Sequence, residues 1–157
     1  MSDETLSLRV NGRQRRIEAE AGKTLLTALR DDLRVTSAKR GCNQGVCGSC
    51  TVLIDGEARR ACLTLAERCV GREVQTLDGL ADDPLMQALQ KAIVLSGGVQ
   101  CGFCTPGILI SARALLAEGP APGVAEVKAA LSGNICRCTG YRTIVEAVLS
   151  AAGEVAT

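Results

Sequence analysis

The order of apolar and polar positions divides the chain into a strand-rich first part and a helical second part. Leu6, Leu8 and Val10 alternate with polar residues, as in a strand with one buried face. An Asn-Gly pair follows at positions 11 and 12, and this pair is typical of tight hairpin turns. We therefore expect residues 13–18 to return as a second strand beside the first.

One amphipathic helix is predicted in the first part, between residues 23 and 33. Four leucines fall on one face of this segment, and Thr24 stands near its start. Residues 34–50 are polar and rich in glycine and cysteine, which indicates a loop. Three further short strands are expected at residues 51–54, 57–61 and 73–76, with an Asp-Gly turn at positions 55 and 56. Together these elements predict a small α+β unit.

After residue 76 the apolar positions recur every three or four residues, which indicates helices. We expect one helix to follow Pro84. A second should begin with Thr105 as its N-cap and Pro106 in the first helical position, and should end at the Gly-Pro-Ala-Pro stretch of residues 119–122. Two more helices are expected at about residues 123–132 and 141–153. Four short helices with brief connections predict a small bundle.

The change of pattern places a domain boundary near residues 77–83. We therefore divide this α+β chain into a domain of residues 1–77 and a domain of residues 78–157. The net charge of +1 creates no strong field toward nucleic acid or an anionic membrane surface. No apolar stretch approaches the length of a membrane span, and residues 1–5 lack the regions of a secretory signal. The expected location is the cytoplasm, with export beside a signal-bearing partner as the alternative.

The residue types that are missing narrow the possible chemistry. The 157 residues include no His and no Trp, one Phe and one Tyr, but nine Cys and 17 Gly. Without histidine, the usual general base and the Ser–His and Cys–His nucleophile pairs are excluded. Because the cytosol keeps thiols reduced, nine cysteines in a cytosolic chain favour metal ligation over a disulfide scaffold.

The first cysteine group lies in the loop of residues 34–50 and just beyond it. Cys42, Cys47 and Cys50 have the C-x4-C-x2-C spacing of plant-type [2Fe–2S] proteins. Cys62 follows as the fourth ligand, on the strand that returns after the Asp-Gly turn. Such a loop must bring three thiolates onto one compact cluster and wrap it without crowding, which this spacing allows.

Three glycines of the loop, Gly41, Gly45 and Gly48, suit that wrapped path. Glycine tolerates positive φ and lets backbone N–H groups approach the cluster sulfurs. Cys69 competes with Cys62 as the fourth ligand on spacing alone, but its apolar setting favours a buried structural thiol. A zinc loop is the alternative interpretation of the whole group.

The second cysteine group consists of two pairs. Cys101 and Cys104 are separated by two residues, and Cys136 and Cys138 by one. Each pair precedes a predicted helix, so two loops at helix N-termini would face each other. The free N–H groups and partial positive charge at such termini suit an anionic iron–sulfur cluster. Zinc bound by four cysteines remains the rival on spacing alone, although a pair separated by one residue is less usual for zinc.

Three longer strings around these cysteines resemble one known family. They are KRGCNQGVCGSCTV at residues 39–52, QCGFCTPG at residues 100–107 and GNICRCTGY at residues 133–141. In these strings, and over residues 5–152 as a whole, the chain is similar to the small iron–sulfur subunit of the xanthine dehydrogenase/aldehyde oxidoreductase family of molybdenum hydroxylases. All eight candidate ligands occur in the family's order.

The resemblance implies a ferredoxin-like β-grasp domain followed by a four-helix bundle, with one [2Fe–2S] cluster in each. It also implies a large partner subunit whose molybdopterin cofactor lies next to the bundle cluster, and commonly a medium subunit whose FAD faces the other cluster. Gln100, through its side-chain amide, and Cys138 would lie on the pterin side. Arg137 would pair with a cofactor phosphate or a partner carboxylate, or be a plain surface charge.

By the same resemblance, the chain is a non-catalytic electron-transfer subunit of an oxidoreductase complex. Electrons would pass from molybdenum through the second cluster and then the first, to FAD or another acceptor. Two other functions compete with this one. The first is a free-standing two-cluster ferredoxin, which would not need the helical part. The second is a structural zinc module.

Overall fold

A computed structural model describes residues 5–119 and 121–155 of the chain. Two stretches used in the sequence analysis lie outside the described residues: residues 1–4, considered there for a signal, and Pro120, within the stretch expected to end a helix. In the described part, both predicted hairpins and all four predicted helices of the second half are present. The structure therefore confirms the predicted α+β fold class.

The sheet begins with the first predicted hairpin. Strands β1 (Thr5–Val10) and β2 (Arg13–Glu18) pair antiparallel. Asn11 and Gly12 between them both have positive φ, as a tight two-residue hairpin turn requires. The second hairpin is built in the same way from two further strands, β3 (Thr51–Ile54) and β4 (Glu57–Arg60).

Strand β5 (Glu73–Gln75) joins the two hairpins into one sheet of five strands, in the order β2-β1-β5-β3-β4. It runs parallel to β1 and antiparallel to β3. A short helix packs its leucines against this mixed sheet. This is the β-grasp arrangement that the resemblance implies.

The helix of the first domain is less regular than its leucine pattern predicts. Helix α1 (Leu25–Thr27) is capped by Thr24, whose hydroxyl accepts a hydrogen bond from the last backbone N–H of the helix at 3.2 Å. The chain then continues as a π-helical turn, Ala28–Asp32, instead of the α-helix expected as far as residue 33. Arg30 in this turn donates hydrogen bonds to two carbonyls of the following loop, so contacts with the loop favour the wider turn.

The helical domain contains four helices: α2 (Pro84–Leu95), α3 (Thr105–Glu118), α4 (Val124–Leu131) and α5 (Arg142–Val155). The prediction of Thr105 as the N-cap of α3 is wrong. Cys104 occupies that position, because its carbonyl already accepts the first helical hydrogen bond, from Ile108 N at 3.1 Å. A candidate metal ligand therefore stands at the N-terminus of α3.

Two apolar cores fill the molecule. One lies between the sheet and α1, and the other is formed by the four helices of the second half. Leu53 of β3 belongs to the helical core, because α3 packs against this strand. The two halves therefore share a contact surface that lies directly behind the cysteine loops. In residues 5–119 and 121–155, no helix is both long and apolar enough to cross a bilayer.

Candidate metal centres

The first candidate centre is formed by the loop before β3 and by the residues that follow β4. Cys42 and Cys47 are half-buried in the loop, whereas Cys50 and Cys62 are buried. The β3–β4 hairpin returns the chain to the loop, where Ala61 N donates a hydrogen bond to Cys50 O at 3.3 Å. The structure thus places Cys62 beside Cys50, on the return path that the sequence predicts.

Backbone N–H groups surround the sulfur of Cys42. Gln44 N and Cys47 N lie 3.3 and 3.4 Å from it. The hydrogen bonds from Cys47 and Gln44 favour the thiolate and lower the pKa of Cys42 to about 6. Burial, by contrast, raises the pKa of Cys50 to about 11. A thiolate is the form that binds metal. Cys42 therefore ionises readily for ligation, whereas Cys50 must lose its proton when metal binds.

The three loop glycines are needed for different structural reasons. Gly45 and Gly48 have φ of +74° and +73°, as expected of glycines in a wrapped loop, whereas Gly41 does not have a positive φ. Gly41 is needed for a different reason, because a Cβ there would lie 2.8 Å from Cys47 Sγ. A Cβ on Gly48 would lie 2.3 Å from the carbonyl oxygen of Gly133, in the helical domain. Gly48 therefore permits a close contact between the domains as well as the path of the loop.

Cys69 lies in the apolar core of the first domain, fully buried. Its thiol donates to Leu65 O at 3.7 Å, and burial raises its pKa. These surroundings are those of a packed structural thiol, and they support the choice of Cys62 over Cys69 as the fourth ligand.

The second candidate centre brings the two predicted cysteine pairs together. Cys138 Sγ lies 3.6 Å from Cys101 Sγ, and both residues are exposed. Cys104 and Cys136 are half-buried and interact with each other. Burial raises the pKa of Cys104 to about 12. Burial also opposes ionisation of Cys136, but hydrogen bonds from Thr139 outweigh it and lower the pKa of Cys136.

Tyr141 holds the loop that carries Cys136, a role that sequence analysis did not identify. Its hydroxyl accepts a hydrogen bond from Cys136 N at 2.7 Å and donates one to Asn134 O at 3.1 Å. Its backbone has φ of +69°, which is rare for a bulky residue. Such a conformation persists only where the surrounding contacts enforce it, and here it directly precedes α5.

Gln100 lies next to this centre, in contact with the second cysteine pair. Its side-chain nitrogen donates to Cys138 O at 3.1 Å, and this hydrogen bond ties the two cysteine pairs together. Gln100 is exposed, as are Cys101 and Cys138 on either side of the bond. Arg137 is exposed as well, and its side chain is free to meet solvent or a partner.

The two centres are connected directly, which no pattern in the sequence predicts. Ile135 N donates to Cys47 O at 2.8 Å. The neighbouring Asn134 donates from its side chain to Gly48 O at 3.2 Å. Arg60 donates to the carbonyl of Gly133 at 2.8 Å. These partners are far apart in sequence, so only the packing of α3 against β3 brings them together.

The thiols are arranged in pairs and do not converge on one point. Among the residues that the structure describes, no three histidine, cysteine or carboxylate side chains are placed to hold a single metal ion. Zinc bound by four cysteines requires all four sulfurs on one ion. A [2Fe–2S] cluster is larger and takes four cysteines spread over its two irons. Paired thiols close to backbone N–H groups therefore fit the binuclear cluster.

Comparison with known proteins agrees with this donor set. The family described as "2Fe-2S iron-sulfur cluster binding domain" matches residues 8–70. The family described as "[2Fe-2S] binding domain" matches residues 76–149. The chain therefore contains two [2Fe–2S]-binding domains, one for each cysteine group.

Two curated relatives and one solved structure extend the match over nearly the whole chain. The nicotine 6-hydroxylase small subunit of Paenarthrobacter nicotinovorans is 51% identical over 150 residues, which are 96% of this chain and 90% of that protein. The xanthine dehydrogenase iron-sulfur-binding subunit of Escherichia coli O157:H7 is 43% identical over 148 residues, 92% of each chain. A chain of quinoline 2-oxidoreductase from Pseudomonas putida 86 superposes with a TM-score of 0.91 at 46% identity, over 98% of this chain and 95% of that one. The protein thus belongs to the family of small iron–sulfur subunits of xanthine dehydrogenase/aldehyde oxidoreductase-type molybdenum hydroxylases, in which it has an electron-transfer role.

Proposed function

We propose that eight cysteines hold the two clusters and that electrons cross the chain from the helical domain to the β-grasp domain. The ligands would be Cys42, Cys47, Cys50 and Cys62 in the first domain, and Cys101, Cys104, Cys136 and Cys138 in the second. When bound, the clusters supply one-electron redox chemistry, while the protein holds, shields and tunes them. The observation that carries this proposal is the hydrogen bond from Ile135 N to Cys47 O, because Ile135 immediately precedes Cys136.

The exposure of the ligands in the second domain supports this direction of transfer. Cys101 and Cys138 are exposed, whereas Cys104 and Cys136 are half-buried, and Cys136 follows Ile135, which is bonded to the first domain. The exposed edge would receive electrons from the molybdenum site of a large subunit, with Gln100 on the pterin side. Apolar side chains stand exposed close by in sequence, since Leu95 is 76% exposed at the end of α2. Such a surface suits the apolar core of a subunit interface.

The first domain would pass electrons onward, to FAD on a medium subunit or to another acceptor. Cys42 and Cys47 are the two half-exposed ligands of this loop. Val46 and Leu63, which flank the same centre, are 57% and 65% exposed. These two side chains offer a second apolar contact, separate from the one near Gln100. A chain with two such contacts is suited to lie between two partners.

The boundary between the domains is proposed between residues 77 and 78. The two family matches leave only residues 71–75 between them. Leu80 already belongs to the helical core. The cytoplasm remains the predicted location, with export beside a signal-bearing partner as the alternative. Fractionation of cells that produce the complex from its own genes would decide between them.

Metal analysis and reconstitution test the proposed function. Anaerobically purified protein should contain about four iron and four sulfide per chain and almost no zinc, since each [2Fe–2S] cluster contributes two of each. A complex reconstituted with the molybdopterin-bearing subunit should reduce an external acceptor with substrate only when this chain is present. Zinc without acid-labile sulfide would support the structural zinc module. Clusters that form no complex with a molybdenum subunit would support the free-standing ferredoxin.

A further inference from the structure

A buried polar cluster lies where the two cysteine loops meet. Asn134 is 2% exposed and Ser111 is 6% exposed, and the buried Thr51 hydroxyl bonds to the same carbonyl of Gly48 as the Asn134 amide. Burial of an amide and a hydroxyl is unfavourable unless both are hydrogen-bonded. Both groups lie between the ligand loop of one domain and the ligand loop of the other. Their hydrogen bonds, and not packing alone, therefore account for their burial at this place.

The side chain of Asn134 bridges three segments of the fold. Its oxygen accepts a hydrogen bond from the Ser111 hydroxyl of α3 at 2.9 Å. Its nitrogen donates to Gly48 O at 3.2 Å. A carbonyl can only accept, so the amide nitrogen must face Gly48 and the amide oxygen must face the hydroxyl. The carboxamide is thus fully directional, with Gly48 standing directly after the candidate ligand Cys47.

The backbone on either side of Asn134 is bonded to the first domain as well. Gly133 O accepts from the Arg60 guanidinium at 2.8 Å, and Ile135 N donates to Cys47 O at 2.8 Å. Three consecutive residues of the second ligand loop are therefore each joined to the first domain. The amide of Asn134 is the central one of these three attachments.

The two backbones approach so closely that no side chain fits between them. A Cβ on Gly107 of α3 would lie 2.3 Å from Gly48 O. A Cβ on Gly48 would lie 2.3 Å from Gly133 O. Because both neighbours are backbone atoms, which cannot rotate aside as a side chain can, any side chain at Gly48 or Gly107 would force the two domains apart.

We propose that Asn134 is a positioning residue that sets the separation and orientation of the two ligand loops, and through them the electron transfer between the two clusters. This inference rests on the proposed function, since it concerns the step between the two cysteine groups. An apolar side chain could fill the same volume. Only a side chain that donates to Gly48 and accepts from Ser111 fixes the position of one ligand loop relative to the other.

The test uses Asn134→Asp, which keeps the shape of the side chain but replaces the donor toward Gly48 with an oxygen. In the chain with both clusters reduced, the magnetic interaction between them, measured by paramagnetic resonance, should weaken. Hydrogen exchange of the Ile135 amide should become about tenfold faster, as expected from the loss of a buried hydrogen bond. The signal of each cluster taken alone should keep its position.

Ser132→Ala is the matched control. Ser132 lies in the same segment, but it is exposed and its hydroxyl donates only to Ala129 O of α4. This variant should leave both the magnetic interaction and the exchange of Ile135 unchanged. A merely structural role of Asn134 would alter stability and exchange without changing the interaction between the reduced clusters.

An unchanged magnetic interaction in an Asn134→Asp chain that holds both clusters overturns the proposal. If that variant does not retain both clusters, the Ser111→Ala variant is used to test the proposal instead. It removes only the hydroxyl that holds the amide, and it should shift the interaction in the same direction by a smaller amount. No shift in Ser111→Ala then overturns the proposal. Failure of the proposed function would be visible separately, as a wild-type chain that shows no cluster signal at all.

Discussion

Ile135 donates its backbone N–H to the carbonyl oxygen of Cys47 at 2.8 Å, and this hydrogen bond joins the loop of one cysteine group directly to the loop of the other. Cys47 belongs to the β-grasp loop, and Ile135 immediately precedes Cys136 of the helical domain. The chain therefore brings two separate metal centres into contact through backbone atoms, with no mobile side chain in the path. The two centres are therefore held next to each other, although each has its own set of ligands.

The ligand sets should be separable by mutation. Cys47→Ser should abolish or distort the first cluster and leave the second, because serine is a poorer ligand and only the first group is changed. Cys104→Ser should have the opposite effect. Paramagnetic resonance of the reduced protein should show two signals in the wild type and lose a different one in each variant. Loss of both signals in either folded variant would contradict the assignment to two centres.

The fourth ligand of the first centre is tested by a pair of alanine variants. Cys69→Ala should retain both cluster signals and lower the free energy of unfolding by about 1 kcal/mol, since it removes one buried sulfur from a packed core. Cys62→Ala should lose the first signal, because Cys62 lies beside Cys50. The reverse pattern would make Cys69 the ligand and Cys62 the structural thiol.

Glycine is predicted to be required at position 41, because the sulfur of Cys47 leaves no room for a side chain there. Gly41→Ala places a methyl group where the Cβ would lie 2.8 Å from Cys47 Sγ, so it should distort the first cluster and lower the free energy of unfolding by about 1–3 kcal/mol. The second signal should not change. Gly119→Ala, at a position with nothing within 4 Å of the added Cβ, is the matched control. Equal iron content and equal spectra in the two variants would refute the requirement.

Gln100 is predicted to affect electron uptake without affecting cluster assembly. Gln100→Ala removes the hydrogen bond to Cys138 O, so stopped-flow reduction of the second cluster by substrate in the assembled complex should slow by about three- to tenfold. Gln87→Ala is the control, because Gln87 is also exposed and donates to a backbone carbonyl, but lies on α2. Equal reduction rates in both variants would remove Gln100 from the electron path.

Asp83 links pH to the stability of the helical domain. Its carboxylate accepts hydrogen bonds from Met86 N at 2.8 Å, as the N-cap of α2, and from Arg113 of α3 at 2.9 Å. Burial opposes ionisation of Asp83, but the hydrogen bonds from Arg113 and Met86 outweigh it and hold the pKa below its usual value. A lowered folded pKa means that this stabilisation is complete above the unfolded pKa of about 4 and is lost as the pH falls through the folded value.

Asp83→Asn keeps a capping side chain but removes the charge that faces Arg113. Its free energy of unfolding, from anaerobic denaturant titrations, should be about 1 kcal/mol below that of the wild type at pH 7. The difference should narrow as the pH falls below about 4, because the wild-type carboxylate is then protonated too. Asp82→Asn, at the exposed neighbouring position, should match the wild type throughout. A difference that stays constant with pH would exclude the ionised pair as its cause.

Local patterns in the sequence were sufficient for the elements and for the candidate ligands. The Asn-Gly and Asp-Gly turns predict both hairpins, because a two-residue turn with positive φ depends only on the residues that form it. Cys42, Cys47 and Cys50 come from one short loop, so their spacing alone indicates which chemistry they can share. The cysteine pairs of the helical domain are equally local, but their spacing alone left zinc as a rival, and the longer strings around them were needed to favour the cluster.

The tertiary structure decided how these local pieces meet. The π-helical turn at Ala28–Asp32 and the positive φ of Tyr141 depend on hydrogen bonds to loop backbone atoms, so the apolar pattern could not predict them. The contact of Gly48 with Asn134 joins residues that are distant in the chain, and it exists only because α3 packs against β3. Spacing between cysteines constrains which residues can bind one cluster, since a loop has limited reach. The relative position of two clusters depends instead on long-range packing, and that is visible only in the folded molecule.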